Sequence, residues 1–174
     1  MRISISKGSG QEHVRIARDD GTAMEFRIPS KGPVPHDAVH FFVESELGLG
    51  RGFWGSVAAG EDPGAIQRRA RAGGHASASR AGVPDAGLVE LLQAERLVEC
   101  FEAESWSSAS DHAGLMALAH AGWEASHVPP LPCTQAQAQR IRDAIAAFGR
   151  TWQALPPGGT LELDWSLREE TRNG

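Results

Sequence analysis

The chain has 174 residues, of which 41% are hydrophobic and 22% are charged, and its formal net charge at pH 7 is −5. This length allows one domain that buries a core without disulfides, and the acidic balance disfavours a nucleic-acid partner. No apolar run reaches the roughly 18 residues of a membrane span, and the first residues lack the apolar core of a signal peptide. We therefore expect a single domain over residues 1–174 that is cytoplasmic and has no membrane partner.

The first 30 residues predict three antiparallel strands. Polar and apolar residues alternate over 2–6, 13–17 and 24–28, which is typical of strands with one buried face. Between the last two strands lies Asp19-Asp20-Gly21, and Asp and Gly tolerate the positive φ of a tight hairpin turn. We expect a meander with one apolar face and one wet face.

The middle of the chain predicts about five helices. The first begins at Pro35 and ends near Gly48, and a short second helix follows over about 52–60. Apolar residues at helical spacing predict further helices over about 84–104, 110–126 and from Thr134 onward, where Thr134 and Gln137 have the spacing of a capping box. Residues 67–82 are rich in Gly, Ala, Ser and Arg without periodicity, and they predict a loop.

The last strand is predicted over 160–165, where polar and apolar residues again alternate, and we expect it to join the N-terminal sheet. The order of three strands, several helices and one strand indicates an α+β fold. The predicted architecture is an antiparallel sheet of about four strands, three N-terminal and one C-terminal, packed with about five helices.

The best candidate for chemistry is the H-D-x-x-H segment of the first helix. His36, His40 and Glu44 are spaced i, i+4 and i+8, so their side chains stack along one helix face. Two imidazoles at this spacing can bind one zinc or another divalent ion. A third ligand must come from elsewhere: Glu61 and Asp62 are the nearest candidates in the sequence, with His75, Asp111 and His112 farther along the chain.

A metal held by His36, His40 and Glu61 would support hydrolase-type or lyase-type chemistry on a small molecule. The ion would lower the pKa of a bound water, and Glu44 or Asp37 would move the proton. The alternative is a non-catalytic domain that binds a protein partner and in which the two histidines are structural. The sequence leaves both functions open, because H-x-x-x-H also arises without a metal.

The block PHDxxHFxVExxLGLxxGFWGxVAxG, residues 35–60, is similar to one in small bacterial proteins of unassigned function. Its H-D-x-x-H element also resembles the metal motif of a family of ubiquinone-biosynthesis proteins. That resemblance implies that His36, Asp37 and His40 bind a divalent ion together with a downstream glutamate. In that family the glutamate follows the second histidine by twelve positions, where this chain has Gly52, and Glu61 is the next candidate.

Three further patterns favour structure over chemistry. Residues 50–55 match G-x-G-x-x-G but follow a helix instead of a strand, which indicates close packing more than dinucleotide binding. The arginines of the predicted loop could clamp a phosphate, but the acidic chain and the absence of interleaved aromatic residues favour a solvated loop. Of the two cysteines, Cys100 is expected to be buried and Cys133 exposed, and they form no C-x-x-C pair.

Overall fold

A computed structural model describes residues 1–30, 32–72, 82–107 and 111–167, except for the side chains of Trp106 and Ser107. Within these ranges lie four strands and six α-helices. The strands are β1 (Arg2–Ser6), β2 (Gln11–Ala17), β3 (Ala23–Pro29) and β4 (Thr160–Asp164). The helices are α1 (His36–Leu47), α2 (Phe53–Ala58), α3 (Pro63–Ala72), α4 (Val89–Ser107), α5 (His112–Ala125) and α6 (Gln135–Ala154). The predicted α+β class is confirmed.

The four strands form one antiparallel sheet in the order β3-β2-β1-β4. Ile3 of β1 pairs with Ile16 of β2 on one side and with Leu163 of β4 on the other. Every second residue points to the helices, so Ile3, Ile5, Val14 and Ile16 are fully buried. The predicted place of the last strand beside the N-terminal meander is confirmed.

α1 is the central helix and contacts α2, α4 and α6. Pro35 precedes its first turn, and Gly48 ends it with a φ of 68°, the left-handed conformation in which glycine carries no steric penalty. Phe41 packs edge-on against Trp165, just after β4, at 5.8 Å between ring centroids. α1 therefore lies at the junction of the sheet and the other helices, and its buried apolar residues belong to the same core cluster as the sheet.

The predicted loop over 67–82 is wrong for residues 67–72, which belong to α3. Asp62 starts this helix, because its Oδ1 accepts a hydrogen bond from the backbone N–H of Ala65 at 2.8 Å. Pro63 follows at the first helical position, and only Ile66 and Ala70 are buried beyond it. Only two buried apolar residues among arginines give too weak a periodic signal for prediction. Residues 73–81 of the predicted loop, including His75 and Arg80, lie outside the described residues.

Local signals placed the other helix boundaries within about three residues, except that α4 begins at Val89 and not near residue 84. The capping box at α6 is confirmed, since Thr134 and Gln137 each bond the backbone N–H of the other. Cys133, by contrast, is buried and not exposed, because the connector before α6 packs inward together with Val128. None of the helices in the described ranges combines the length and apolar character needed to cross a bilayer.

Candidate metal centre

The candidate site is formed where one face of α1 meets one face of α4. His36 and His40 are one turn apart on α1, and Glu95 and Glu102 are two turns apart on α4. The helices run antiparallel here, so His36 meets Glu102 while His40 meets Glu95. Two histidines four positions apart on α1 thus lie opposite two glutamates seven positions apart on α4.

His40 is held by two carboxylates. Its Nδ1 lies 3.0 Å from Oε1 of Glu44, and its Nε2 lies 2.8 Å from Oε2 of Glu95. The ring is only 3% exposed. Burial alone would lower the pKa of His40, but the hydrogen bonds to Glu44 and Glu95 outweigh it and raise the pKa well above its usual value. Carboxylates at both ring nitrogens thus favour the charged form of His40.

His36 repeats this arrangement nearer to the solvent. Its Nδ1 lies 2.9 Å from Oε1 of Glu102, and its Nε2 lies 3.6 Å from the same Glu95 oxygen that bonds His40. Burial works against the charged form, yet the hydrogen bond to Glu102 and the nearby Glu95 carboxylate raise the pKa of His36 to about 9. The pKa of Glu95 is correspondingly held well below its usual value: burial opposes this shift, and the two imidazolium donors overcome it.

The two histidines thus use their ring nitrogens in the same way. Each Nδ1 is fixed by its own carboxylate, and each Nε2 is turned toward Glu95. One nitrogen from each ring and one Glu95 oxygen lie within 4.8 Å of one another. A tetrahedral ion with ligands at about 2.0–2.2 Å separates them by roughly 3.4 Å, so the widest pair must close by about 1.4 Å. These three residues could hold a metal ion.

Glu44 connects this cluster to the next helix. Its carboxylate is fully buried and accepts the backbone N–H groups of Phe53 and Trp54, at 2.9 and 2.8 Å, in addition to the His40 bond. These N–H groups belong to the first turn of α2, which has no intrahelical acceptor for them. A Cβ on Gly52 would lie 2.5 Å from the Glu44 carboxyl carbon. A Cβ on Gly55 would lie 2.3 Å from the carbonyl oxygen of Gly50, so Gly52 and Gly55 of the pattern at 50–55 serve close packing.

Asp37 differs from the other carboxylates because part of it has no partner. It is buried, and its Oδ2 finds no hydrogen-bond donor within the described residues. Burial is the main reason why the pKa of Asp37 is raised, although the neighbouring His36 and His40 charges pull it down. A buried acceptor without a donor is costly, and such an atom beside a possible metal centre suits a ligand or a proton-transfer role.

Glu61, the predicted third ligand, is not in the group that the structure brings together. Its carboxylate pairs with Arg69 on α3, while its backbone carbonyl accepts from Arg18 at 3.2 Å. Asp62 and Asp111 serve as helix caps instead. The carboxylate that lies beside both histidines is that of Glu95 and not that of Glu61. Glu95 lies in the predicted helix over about 84–104, seven positions before Glu102, and this spacing along one helix face was the one signal for it in the sequence.

The cluster lies in a cleft of about 520 Å³. Its polar lining comes from α1 and α4, including Asp37 and Glu99, with Gln67 and Arg71 contributed by α3. Its apolar lining consists of Ile28, Pro29, Phe53, Ile66, Ala70 and Leu91. A small molecule with both apolar and polar parts fits such a cleft.

Comparisons with protein-family models, with curated proteins and with solved structures found no match to this chain. Both resemblances seen in the sequence therefore stay predictions, and function has to be inferred from the geometry of the site.

Proposed function

We propose that this protein binds a divalent metal ion, zinc or a similar ion, through Nε2 of His36, Nε2 of His40 and the carboxylate of Glu95. The bound ion supports hydrolase-type or lyase-type chemistry on a small molecule in the cleft. One observation carries the proposal: both imidazoles are fixed through Nδ1 by carboxylates, and both Nε2 atoms turn toward one further carboxylate.

This arrangement is the one that metal-binding histidines use in proteins. A ligating histidine generally donates its second ring N–H to a carboxylate or carbonyl, which fixes the ring and makes the ligand more basic. Glu44 accepts this hydrogen bond from His40, and Glu102 accepts it from His36. An incoming ion would replace the protons that now lie between the two Nε2 atoms and Glu95, so binding would release protons.

The carboxylates around the proposed metal have different roles. A bound divalent ion supplies Lewis-acid activation of water or of a substrate oxygen. Glu44 already accepts three hydrogen bonds, so we assign it to holding His40 and not to moving protons. Asp37 Oδ2 has no donor among the described residues, and we assign it to accepting a proton from the attacking water or from the substrate.

Metal analysis tests this proposal directly. Tag-free protein is loaded with zinc, dialysed and analysed for metal, beside the double variant His36→Ala/His40→Ala. The matched control is His13→Ala/His120→Ala, which removes one half-buried histidine on β2 and one exposed histidine on α5. We expect near-stoichiometric zinc in the parent and the control, and almost none in the site variant. A parent that retains no zinc after loading overturns the proposal.

The competing function, a protein-binding domain with structural histidines, has one observation in its favour. Without a metal, each imidazolium is already placed between two carboxylates, so the cluster is a self-sufficient ion-pair network. The same samples separate the two functions. A parent that binds no zinc, and that loses stability when His36 and His40 are removed, favours the structural role.

A further inference from the structure

We propose that the ligand of the cleft is a small carboxylate with an apolar body, and that Arg71 and Gln67 of α3 bind its carboxylate. This inference deepens the proposed function by naming its substrate class. It rests on that function for the reaction, but the anion site consists of residues outside the metal centre and can be tested separately.

One face of α3 packs against the core and another lines the cleft. Ile66 and Ala70 are buried against the core, while Gln67 and Arg71 lie one turn apart and both line the cleft. The amide of Gln67 and the guanidinium of Arg71 are thus neighbouring hydrogen-bond donors on the wall of the cleft.

The other two arginines of this helix are engaged elsewhere. Arg68 lies 3.8 Å from Asp62, and Arg69 pairs with Glu61. No ion pair within the described part of the chain includes Arg71. Of the arginines that the sequence singled out in this helix, Arg71 alone therefore combines an available guanidinium with a place in the cleft.

The charges of the cleft decide which anion fits. A guanidinium presents a planar fork of donors that matches a carboxylate or a phosphate. Glu99 and Glu102 line the same cleft, and they would repel a dianionic phosphate more strongly than a singly charged carboxylate. The apolar lining, which includes Phe53 and Leu91, offers the ligand's body a place to be buried. A carboxylate on an apolar body satisfies both parts of the lining.

Binding of hexanoate tests the anion site, with hexan-1-ol as the uncharged analogue of equal chain length. Both probes are titrated by ligand-observed NMR into zinc-loaded full-length parent, Arg71→Met and Arg68→Met. We expect hexanoate to bind the parent and Arg68→Met equally and to bind Arg71→Met at least about tenfold more weakly, since a charge-assisted hydrogen bond is lost. Hexan-1-ol should bind more weakly than hexanoate and equally in all three proteins.

Three outcomes overturn the proposal: no binding of hexanoate to the parent, equal binding to parent and Arg71→Met, or hexan-1-ol binding as tightly as hexanoate. The titration is repeated on chelator-treated parent, and the metal content of every sample is measured. Hexanoate binding that needs zinc but not Arg71 shows that the metal holds the carboxylate, which overturns the anion site and leaves the proposed function standing. A parent that retains no zinc after loading but still binds hexanoate through Arg71 supports the anion site and overturns the metal proposal.

Discussion

Replacing Gly52 by alanine should disrupt the link between the candidate metal centre and α2. The new Cβ would lie 2.5 Å from both Cδ and Oε2 of Glu44. Gly52 has a φ of −67° and a ψ of −166°, an extended conformation that alanine adopts without strain. The effect of the substitution must therefore come from the contact with Glu44, whose buried carboxylate has to move.

The cost follows from what that carboxylate holds. It accepts three hydrogen bonds, from His40 Nδ1 and from the backbone N–H groups of Phe53 and Trp54. Hydrogen bonds to a charged group contribute about 1.5–3 kcal/mol each, and disrupting a buried ion pair costs about 3–5 kcal/mol. Some of these bonds can form again after the shift, so we expect Gly52→Ala to lower the free energy of unfolding by about 3–5 kcal/mol. For a domain of this size the Tm would fall by roughly 6–20 °C.

Urea unfolding followed by tryptophan fluorescence measures this loss, with Gly87→Ala as the matched control. A Cβ at Gly87 meets nothing within 4 Å, so the control should stay within about 0.5 kcal/mol of the parent. If the loss acts through Glu44, the double variant Glu44→Ala/Gly52→Ala should be no less stable than Glu44→Ala alone. Gly52→Ala within 1 kcal/mol of the parent, about the typical effect of a point substitution, would refute the tight packing of Gly52 on this carboxylate.

Three further predictions concern charge and protonation. Glu95→Gln should weaken zinc binding at least about tenfold in chelator competition, because a ligating carboxylate is lost. The control Glu90→Gln, on the same helix, should bind zinc as the parent does. Equal zinc affinities of the parent and Glu95→Gln would exclude Glu95 as a ligand. In chelator-treated protein, the folded pKa of His36 of about 9 exceeds its unfolded value of 6.5, so its stabilisation is complete below pH 6.5 and is lost as the pH rises through 9. After allowance for the partial exposure of His36, the free energy of unfolding in urea should fall by about 1–2 kcal/mol over this pH range in the parent, and this fall should be missing in His36→Gln. The same dependence of stability on pH in His36→Gln as in the parent would contradict the assignment to His36. Burial raises the pKa of Cys100 and Cys133 to about 11, so both thiols should react with a disulfide reagent at pH 8 roughly 100-fold more slowly in the native protein than in urea; fast native labelling would show that they are accessible.

Several parts of the fold could be predicted because their signals are local. The alternation over 2–6 and 160–165 needs only neighbouring residues to define a strand face. Thr134 and Gln137 form their capping box three positions apart, and Gly48 ends α1 through its own φ. In each case the stabilising contact lies within a few residues of the signal, so the sequence displays it directly.

α3 shows where local signals were insufficient. Only Ile66 and Ala70 are buried past its first residue, and their surroundings are polar, so the helical period was weak. The helix depends on Asp62 as a cap and on packing against the core. The apolar face of α3 can be recognised only from the core on which it packs. With the helix in place, Arg71 lines the cleft instead of belonging to a loop.

For the site, the sequence by itself determined that His36, His40 and Glu44 share one face of a helix, because their spacing matches the helical repeat. The sequence did not determine Glu95, which lies 55 positions from His40. Only the antiparallel packing of α1 on α4 brings Glu95 between the two imidazoles, and only the start of α2 engages Glu44. The physical reason is that spacing along a helix fixes which side chains are neighbours on it, whereas the partner that completes a site is fixed by how helices pack together.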